Sequence, residues 1–202
     1  QLNNTMIGYQ AGFHQTTDNG SVFIGYRAGY SNTTGSGGAY NVAVGVQALQ
    51  DSETAWYITA VGWKSQMNNT AGNYATSLGS LALENLTTGD YNTAVGYRAG
   101  HDVTTATECV FVGPNAGQGQ VDTGIRQCFI ARDGVGAGNA AAWLYGNSSG
   151  ACYQGNNSSS WSTTSDRRLK KNIVDNNKGL AEINQLRVTN FEYRTEEEID
   201  IS

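Results

Sequence analysis

Along the first two thirds of the chain a β-branched or Leu residue is followed by glycine at near-constant intervals. The pairs are Ile7-Gly8, Ile24-Gly25, Val44-Gly45, Val61-Gly62, Leu78-Gly79, Val95-Gly96 and Val112-Gly113, with Ile130-Ala131 as a degenerate eighth copy. Their small residues lie 17, 20, 17, 17, 17, 17 and 18 apart. Self-similarity at a fixed period marks a repeat architecture. Three beyond each aligned residue stands a further small one: Ala11, Ala28, Ala48, Ser65, Ala82, Ala99, Ala116 and Gly134. Two and three before it the pattern runs from Thr5-Met6 and Val22-Phe23 to Thr93-Ala94 and Cys128-Phe129. A Thr or Val and an Ile or Val two apart fall on one face of a strand. The Gly and Ala around them leave room for another backbone to approach closely.

Seventeen residues are too few for a helix pair with its turns or for a propeller blade, and suit one coil of a β-solenoid. The expectation is an all-β chain: a parallel β-roll of about eight coils, each with two strands of about five residues and two tight turns. Turn chemistry is visible in Asn32-Thr33-Thr34-Gly35, Asn68-Asn69-Thr70-Ala71-Gly72 and Leu86-Thr87-Thr88-Gly89. A single coil buries too little to stand alone, so stacking is obligatory.

Charge and glycine set the domain limits. Residues 1–165 carry 14 charged side chains and residues 166–202 carry 15, whereas 25 of the 26 glycines precede Ser165. This divides the chain into a roll (1–134), an aperiodic neck (135–164) containing Trp143, Tyr145, Tyr153 and Trp161, and a C-terminal segment (165–202). A net charge of −5 with only 12 Lys and Arg offers no basic stripe, so nucleic acid is not an expected partner. The sequence has no run of eighteen apolar residues and opens without a basic and apolar leader, so membrane insertion is not expected. Three cysteines without a CxxC suggest free thiols, and two histidines 87 residues apart suggest no metal site. No cofactor is called for.

The N-T-A-V-G-Y-x-A-G pattern, intact at Asn92 to Gly100 and close to it from Asn41 to Leu49, resembles the head repeats of trimeric autotransporter adhesins and related viral fibre proteins. That resemblance covers roughly residues 3–134 and implies a left-handed parallel β-roll in which three chains associate side by side.

A second motif is sharper. Ser165-Asp166-Arg167-Arg168-Leu169-Lys170-Lys171-Asn172-Ile173 is similar to the S-D-x-R-L-K-x-x-I opening of the intramolecular chaperone of endosialidases and tail fibres, a self-cleaving serine peptidase family. Gly179, Leu180, Ile183 and Leu186 are spaced for a short helix, and Val188, Phe191 and Tyr193 for a strand behind it, giving a small α+β segment. The resemblance implies a chaperone that trimerises, templates the fibre before it and cuts itself off after the motif serine. By that resemblance Ser165 is the nucleophile, Lys170 the base and Ser165-Asp166 the bond cut. No histidine follows His101, so a Ser-His pair within this segment is excluded. A lysine can act as the base if burial lowers its pKa. Catalysis, where there is any, is confined to the protein's own chain.

Aromatic residues supply the candidate binding surface. Tyr9, Tyr26, Trp63 and Tyr97 follow the aligned glycines, and Tyr40, Tyr57, Tyr74 and Tyr91 stand five before them. Such rings can stack on sugars, pack coil on coil or fill a trimer interface; Trp63, Tyr97 and Tyr26 are the candidates for sugar stacking. Asn-x-Ser/Thr triplets at Asn3, Asn32, Asn68, Asn85, Asn147, Asn156 and Asn157 mostly coincide with repeat turns. Asp51 with Glu53, or Asp102 with Glu108, form no evident glycosidase pair. The expected function is therefore a homotrimeric structural and host-attachment fibre on a virion surface. It would meet a cell-surface receptor, a carbohydrate among the candidates. A bacterial trimeric surface adhesin is the alternative, and a fibre-borne polysaccharide depolymerase a third reading.

Overall fold

A computed structural model describes residues 3–16, 19–33, 39–119, 125–131 and 142–154, all within the compact unit Gln1–Trp161. The described residues are all-β. Eight short strands, β1 (Thr5–Ile7), β2 (Val22–Ile24), β3 (Val42–Val44), β4 (Thr59–Val61), β5 (Thr76–Leu78), β6 (Thr93–Val95), β7 (Val110–Val112) and β8 (Cys128–Ala131), pair in parallel and in sequence order. Each pairing keeps the register read from the repeat, as in Val42↔Thr59, Ala43↔Ala60 and Val44↔Val61. Seven turns of a parallel β-solenoid result. β9 (Ala142–Gly146) then pairs antiparallel with β8, and β10 (Cys152–Gln154) antiparallel with β9.

One detail departs from the expectation. Each coil carries one strand of three or four residues in place of two of about five. The backbone explains why. Left-handed φ values recur five before the aligned glycine (Tyr40, Tyr57, Tyr74, Tyr91) and two after it (Arg27, Gln47, Lys64, Leu81, Arg98). They recur again four after it, at Gly29, Leu49, Gln66, Leu83 and Gly100. Such corners stop a strand from extending, and each non-glycine one costs about 1–2 kcal/mol. The rest of the coil is joined to its neighbours by single backbone bonds such as Thr70 N–H to Thr87 O (3.0 Å) and Thr87 N–H to Thr104 O (2.8 Å).

The sequence left open which side of each strand faces in. Residues two before the glycine (Phe23, Ala43, Ala60, Ser77, Ala94, Phe111) and four before it (Ser21, Asn41, Ile58, Ala75, Asn92, Cys109) are fully buried. The bulkier Thr/Val and Ile/Val positions of the same strands point outward and remain half-buried or exposed. The core is thus narrow and largely built from alanine.

Its volume is kept by exchange across two positions. Where a coil has Phe two before the glycine, it has Gly four after: Phe23 with Gly29, Phe111 with Gly117. Where it has Ala or Ser, it has Leu or Gln: Ala43 with Leu49, Ala60 with Gln66, Ser77 with Leu83. The coil holding both Ala94 and Gly100 is filled from its neighbours, since a Cβ on Gly100 would lie 2.7 Å from Leu83 Cδ2 and 2.9 Å from Phe111 Cδ2. Interiors are packed to the density of organic crystals, so a large residue on one wall requires a small one opposite.

The aligned glycines serve stacking within one chain. A Cβ on Gly8 would sit 2.5 Å from Gly25 O, and Gly25, Gly45, Gly62 and Gly79 meet the next glycine's carbonyl in the same way, all at positive φ. These small residues are therefore accounted for by coil-on-coil contact. Two buried asparagines are satisfied between coils: Asn92 Oδ1 accepts from Cys109 N–H (3.0 Å), and Asn92 Nδ2 donates to Ala106 O (2.6 Å). Asn41 repeats this with Ile58 N–H and Ala55 O.

Candidate functional site

Positions on the outer face of the roll follow the same period. Because side chains alternate along a strand, the residues five, three and one before the glycine and the one after it form four adjacent outward columns. Most large exposed apolar side chains fall in them, including Ile7, Leu78, Val95 and Val110 on the strands, Tyr40 to Tyr91 on one margin, and Tyr9, Tyr26, Val46, Trp63 and Tyr97 on the other. Leu78 is 51% exposed and Ile7 58%. These exposed apolar side chains recur coil by coil along the roll, the kind of surface that marks an interaction site.

The two aromatic columns differ. Tyr40, Tyr57, Tyr74 and Tyr91 stack in sequence at centroid distances of 5.4, 5.2 and 4.8 Å with interplanar angles of 10° or less. Tyr57 and Tyr74 have both faces covered, so the column presents ring edges and hydroxyls to the outside. It ends in an ion pair, since Glu108 and Arg126 take the next two places and Arg126 Nε donates to Glu108 Oε2 at 2.7 Å. That hydrogen bond and charge lower the Glu108 pKa and raise that of Arg126.

Among the sugar-stacking candidates, Tyr26 stacks on Tyr9 (5.6 Å, 12°) and carries Arg27 over its ring at 5.5 Å. Trp63 and Tyr97 are 48% and 51% exposed, two coils apart, with Ser80 between them. Lys64 Nζ lies 5.1 Å from the Trp63 ring centroid. The structure does not join all three rings into one surface.

Carboxylates occupy separate settings. Glu84 binds Lys64 (3.8 Å) and His101 (3.0 Å), while Asp102 contacts His101 Nδ1 (2.6 Å) and accepts from Gly119 N–H (3.0 Å). Glu108 is engaged by Arg126, so Asp102 and Glu108 are not brought together as an acid pair. No group of three or more metal-ligating side chains occurs among the described residues. Asn32 is buried, and Asn68 donates to Asn85, which donates to His101 O, so these asparagines serve the turns.

Cys109 is buried, Cys128 half-buried and Cys152 exposed. Burial pushes the Cys109 thiol up, and desolvation followed by the neighbouring Cys152 does the same to Cys128.

Ser165, Asp166 and Lys170, with the expected helix and strand of residues 179–193, lie outside the described residues. Sequence reasoning missed the Asn41 and Asn92 brackets and the Phe-for-Gly exchange, although both were readable as residues aligned on the 17-residue period.

No curated protein and no solved structure matches this chain. Residues 165–201 match the family described as chaperone of endosialidase, Peptidase_S74, so the chain joins a β-solenoid repeat to an endosialidase-type chaperone segment, a combination that fits a fibre carrying its own intramolecular chaperone.

Proposed function

We propose that the protein is a homotrimeric fibre of a virion surface, that its roll attaches to a host receptor, and that its C-terminal segment drives trimer folding and then cuts itself away. The observation that carries this reading is the outward strand face of the roll, together with the chaperone match at residues 165–201. A thin solenoid that exposes Thr/Val and Ile/Val/Leu in every coil leaves a face suited to another copy of itself, because only an identical period stays in register over seven coils. Support for the trimer thus rests on the strand face, since the aligned glycines are taken up by coil stacking.

In the cleavage step, the Ser165 hydroxyl loses its proton to neutral Lys170 and attacks Ser165's own carbonyl carbon, so that a four-membered lactone forms as the C–N bond to Asp166 breaks and Lys170 returns the proton to the Asp166 amine. That amine leaves on the released segment, and water opens the lactone, leaving a Ser165 carboxylate on the roll. Attachment then belongs to the roll, since whatever lies beyond Ser165 is lost from the mature fibre.

Light scattering of the purified chain tests the assembly: a mass of about three chains is expected, and a stable folded monomer overturns it. A trimer of residues 1–165 that fails to attach to cells bound by the whole fibre refutes the assignment of attachment to the roll.

A further inference from the structure

The column one beyond the aligned glycine reads Tyr9, Tyr26, Val46, Trp63, Ser80, Tyr97, Pro114. Backbone bonds run through it coil by coil: Lys64 N–H to Val46 O (2.9 Å), Leu81 N–H to Trp63 O (2.8 Å), Arg98 N–H to Ser80 O (2.9 Å) and Asn115 N–H to Tyr97 O (2.8 Å). These bonds hold Ser80 one step above Trp63 and one step below Tyr97. Where two consecutive coils both carry rings, at Tyr9 and Tyr26, the rings lie face to face, 12° from parallel. In this column Val46 and Pro114 stand on the outer sides of Trp63 and Tyr97 and Ser80 stands between them, while Lys64 Nζ lies over the Trp63 ring, 5.1 Å from its centroid. Among the described residues neither Trp63 nor Tyr97 makes a ring contact with another aromatic.

We propose that Trp63 and Tyr97 are the walls, and Ser80 the floor, of a slot that takes a single pyranose ring of a surface glycan. This rests on the reading of the roll as the attaching part of the fibre. Size selects the ligand. Two strand spacings separate the walls by roughly 9–10 Å. A planar ring held at ordinary carbon contact on both faces fills about 7 Å and leaves a gap. A pyranose chair, thicker by its out-of-plane carbons and axial hydrogens, occupies the remainder and offers C–H groups to both rings. Polar partners stand beside the rings: the Ser80 hydroxyl, and Lys64 Nζ, which lies over Trp63, meets Glu84 of the next coil at 3.8 Å, and shares the Trp63 face with the sugar. The tyrosine column on the opposite margin has no such gap, since its four coils are ringed without interruption.

The test uses the whole 202-residue chain and a set of methyl pyranosides (glucoside, galactoside, N-acetylglucosaminide) observed by saturation-transfer NMR. At least one is expected to receive saturation at its ring protons. Trp63→Ala should weaken that binding at least tenfold. Ser80→Tyr is the sharper variant, because it inserts a third ring at the spacing the tyrosine column already tolerates. It should abolish transfer while leaving the melting temperature unchanged or higher. Absence of transfer from every pyranoside, or transfer that survives Ser80→Tyr, overturns the slot. So does a Ser80→Tyr chain whose assembly falls apart by light scattering, which would place the slot inside an interface. The slot lies within one chain, so a monomeric protein would fail the fibre reading and still give a readable sugar titration.

Discussion

Gly29 stands against the ring of Phe23: a Cβ placed on it would lie 2.6 Å from both Cδ1 and Cε1 of that ring. Twenty residues on, the equivalent places hold Ala43 and Leu49, both buried, with Leu49 at the same left-handed backbone corner. The two walls of the roll thus share one volume, and the sequence divides it differently from coil to coil.

Exchange of that division is testable. Phe23→Ala should cost about 3–5 kcal/mol by leaving a cavity. Gly29→Leu alone should also destabilise, by overpacking against Phe23. The double variant recreates the Ala43/Leu49 arrangement and should recover most of the loss. Thermal unfolding of the three proteins gives the coupling; additive losses would show that the two sites do not share a volume.

The tyrosine column is read as packing. Tyr74 lies between Tyr57 and Tyr91 at 5.2 and 4.8 Å. Removing its ring with Tyr74→Ala breaks two stacked pairs, each worth about 0.5–1.5 kcal/mol beyond buried area. Stability should fall by about 1–3 kcal/mol with pyranoside binding unchanged. Lost sugar binding at constant melting temperature would reverse the roles of the two columns.

The period, the strand positions and the parallel register were legible in the sequence because each rests on residues that recur at one spacing. The facing of the strands was not. Ile7, Ile24, Val44 and Val61 carry the bulk of their strands and look like core, yet the alternation of a strand is the same whichever face is buried. The roll is so thin that its two walls share one volume: Ala43, Ala60, Ser77 and Ala94 line it in some coils and Phe23 and Phe111 in others, and the β-branched residues are turned outward. The missing second strand has a similar cause: left-handed corners at Tyr57, Lys64 and Gln66 leave no composition signal, because such corners are ordinarily occupied by glycine or asparagine. Of the candidate site, Trp63 and Tyr97 were marked out by their common place in the repeat, which left sugar stacking, packing and a trimer interface open to them. Their separation by Ser80 became meaningful only once Tyr9 and Tyr26 showed how rings in that column lie.

Cys109 gives the fold an alkaline limit. Its thiol is buried and its pKa raised by desolvation, so the folded chain holds that proton more tightly than the unfolded chain. The associated stability is complete below the unfolded thiol pKa of about 8.5 and declines as pH rises from there through the folded value. Denaturant unfolding between pH 7 and 10 should show a decline that Cys109→Ala reduces. Iodoacetamide should label the exposed Cys152 in the native protein and Cys109 only on unfolding; equal labelling rates would place Cys109 at the surface.

The Ser-Lys assignment makes the last prediction. Ser165 and Lys170 fall at the start of the chaperone match, in a segment without histidine. A serine hydroxyl needs a base within hydrogen-bond reach, and lysine supplies one only when its amine is neutral. With the complete chaperone domain present, Ser165→Ala and Lys170→Ala should each leave an uncut chain while the trimer still assembles. Mass spectrometry of the wild-type product should find Ser165 as the new C-terminus. Lys170→Arg separates base from charge: arginine keeps the positive side chain but stays protonated, so it should restore no cleavage. Cutting by either lysine variant at the wild-type rate would remove Lys170 from the mechanism. A trimer that fails to form in Ser165→Ala would show that the serine acts in folding before it acts in chemistry.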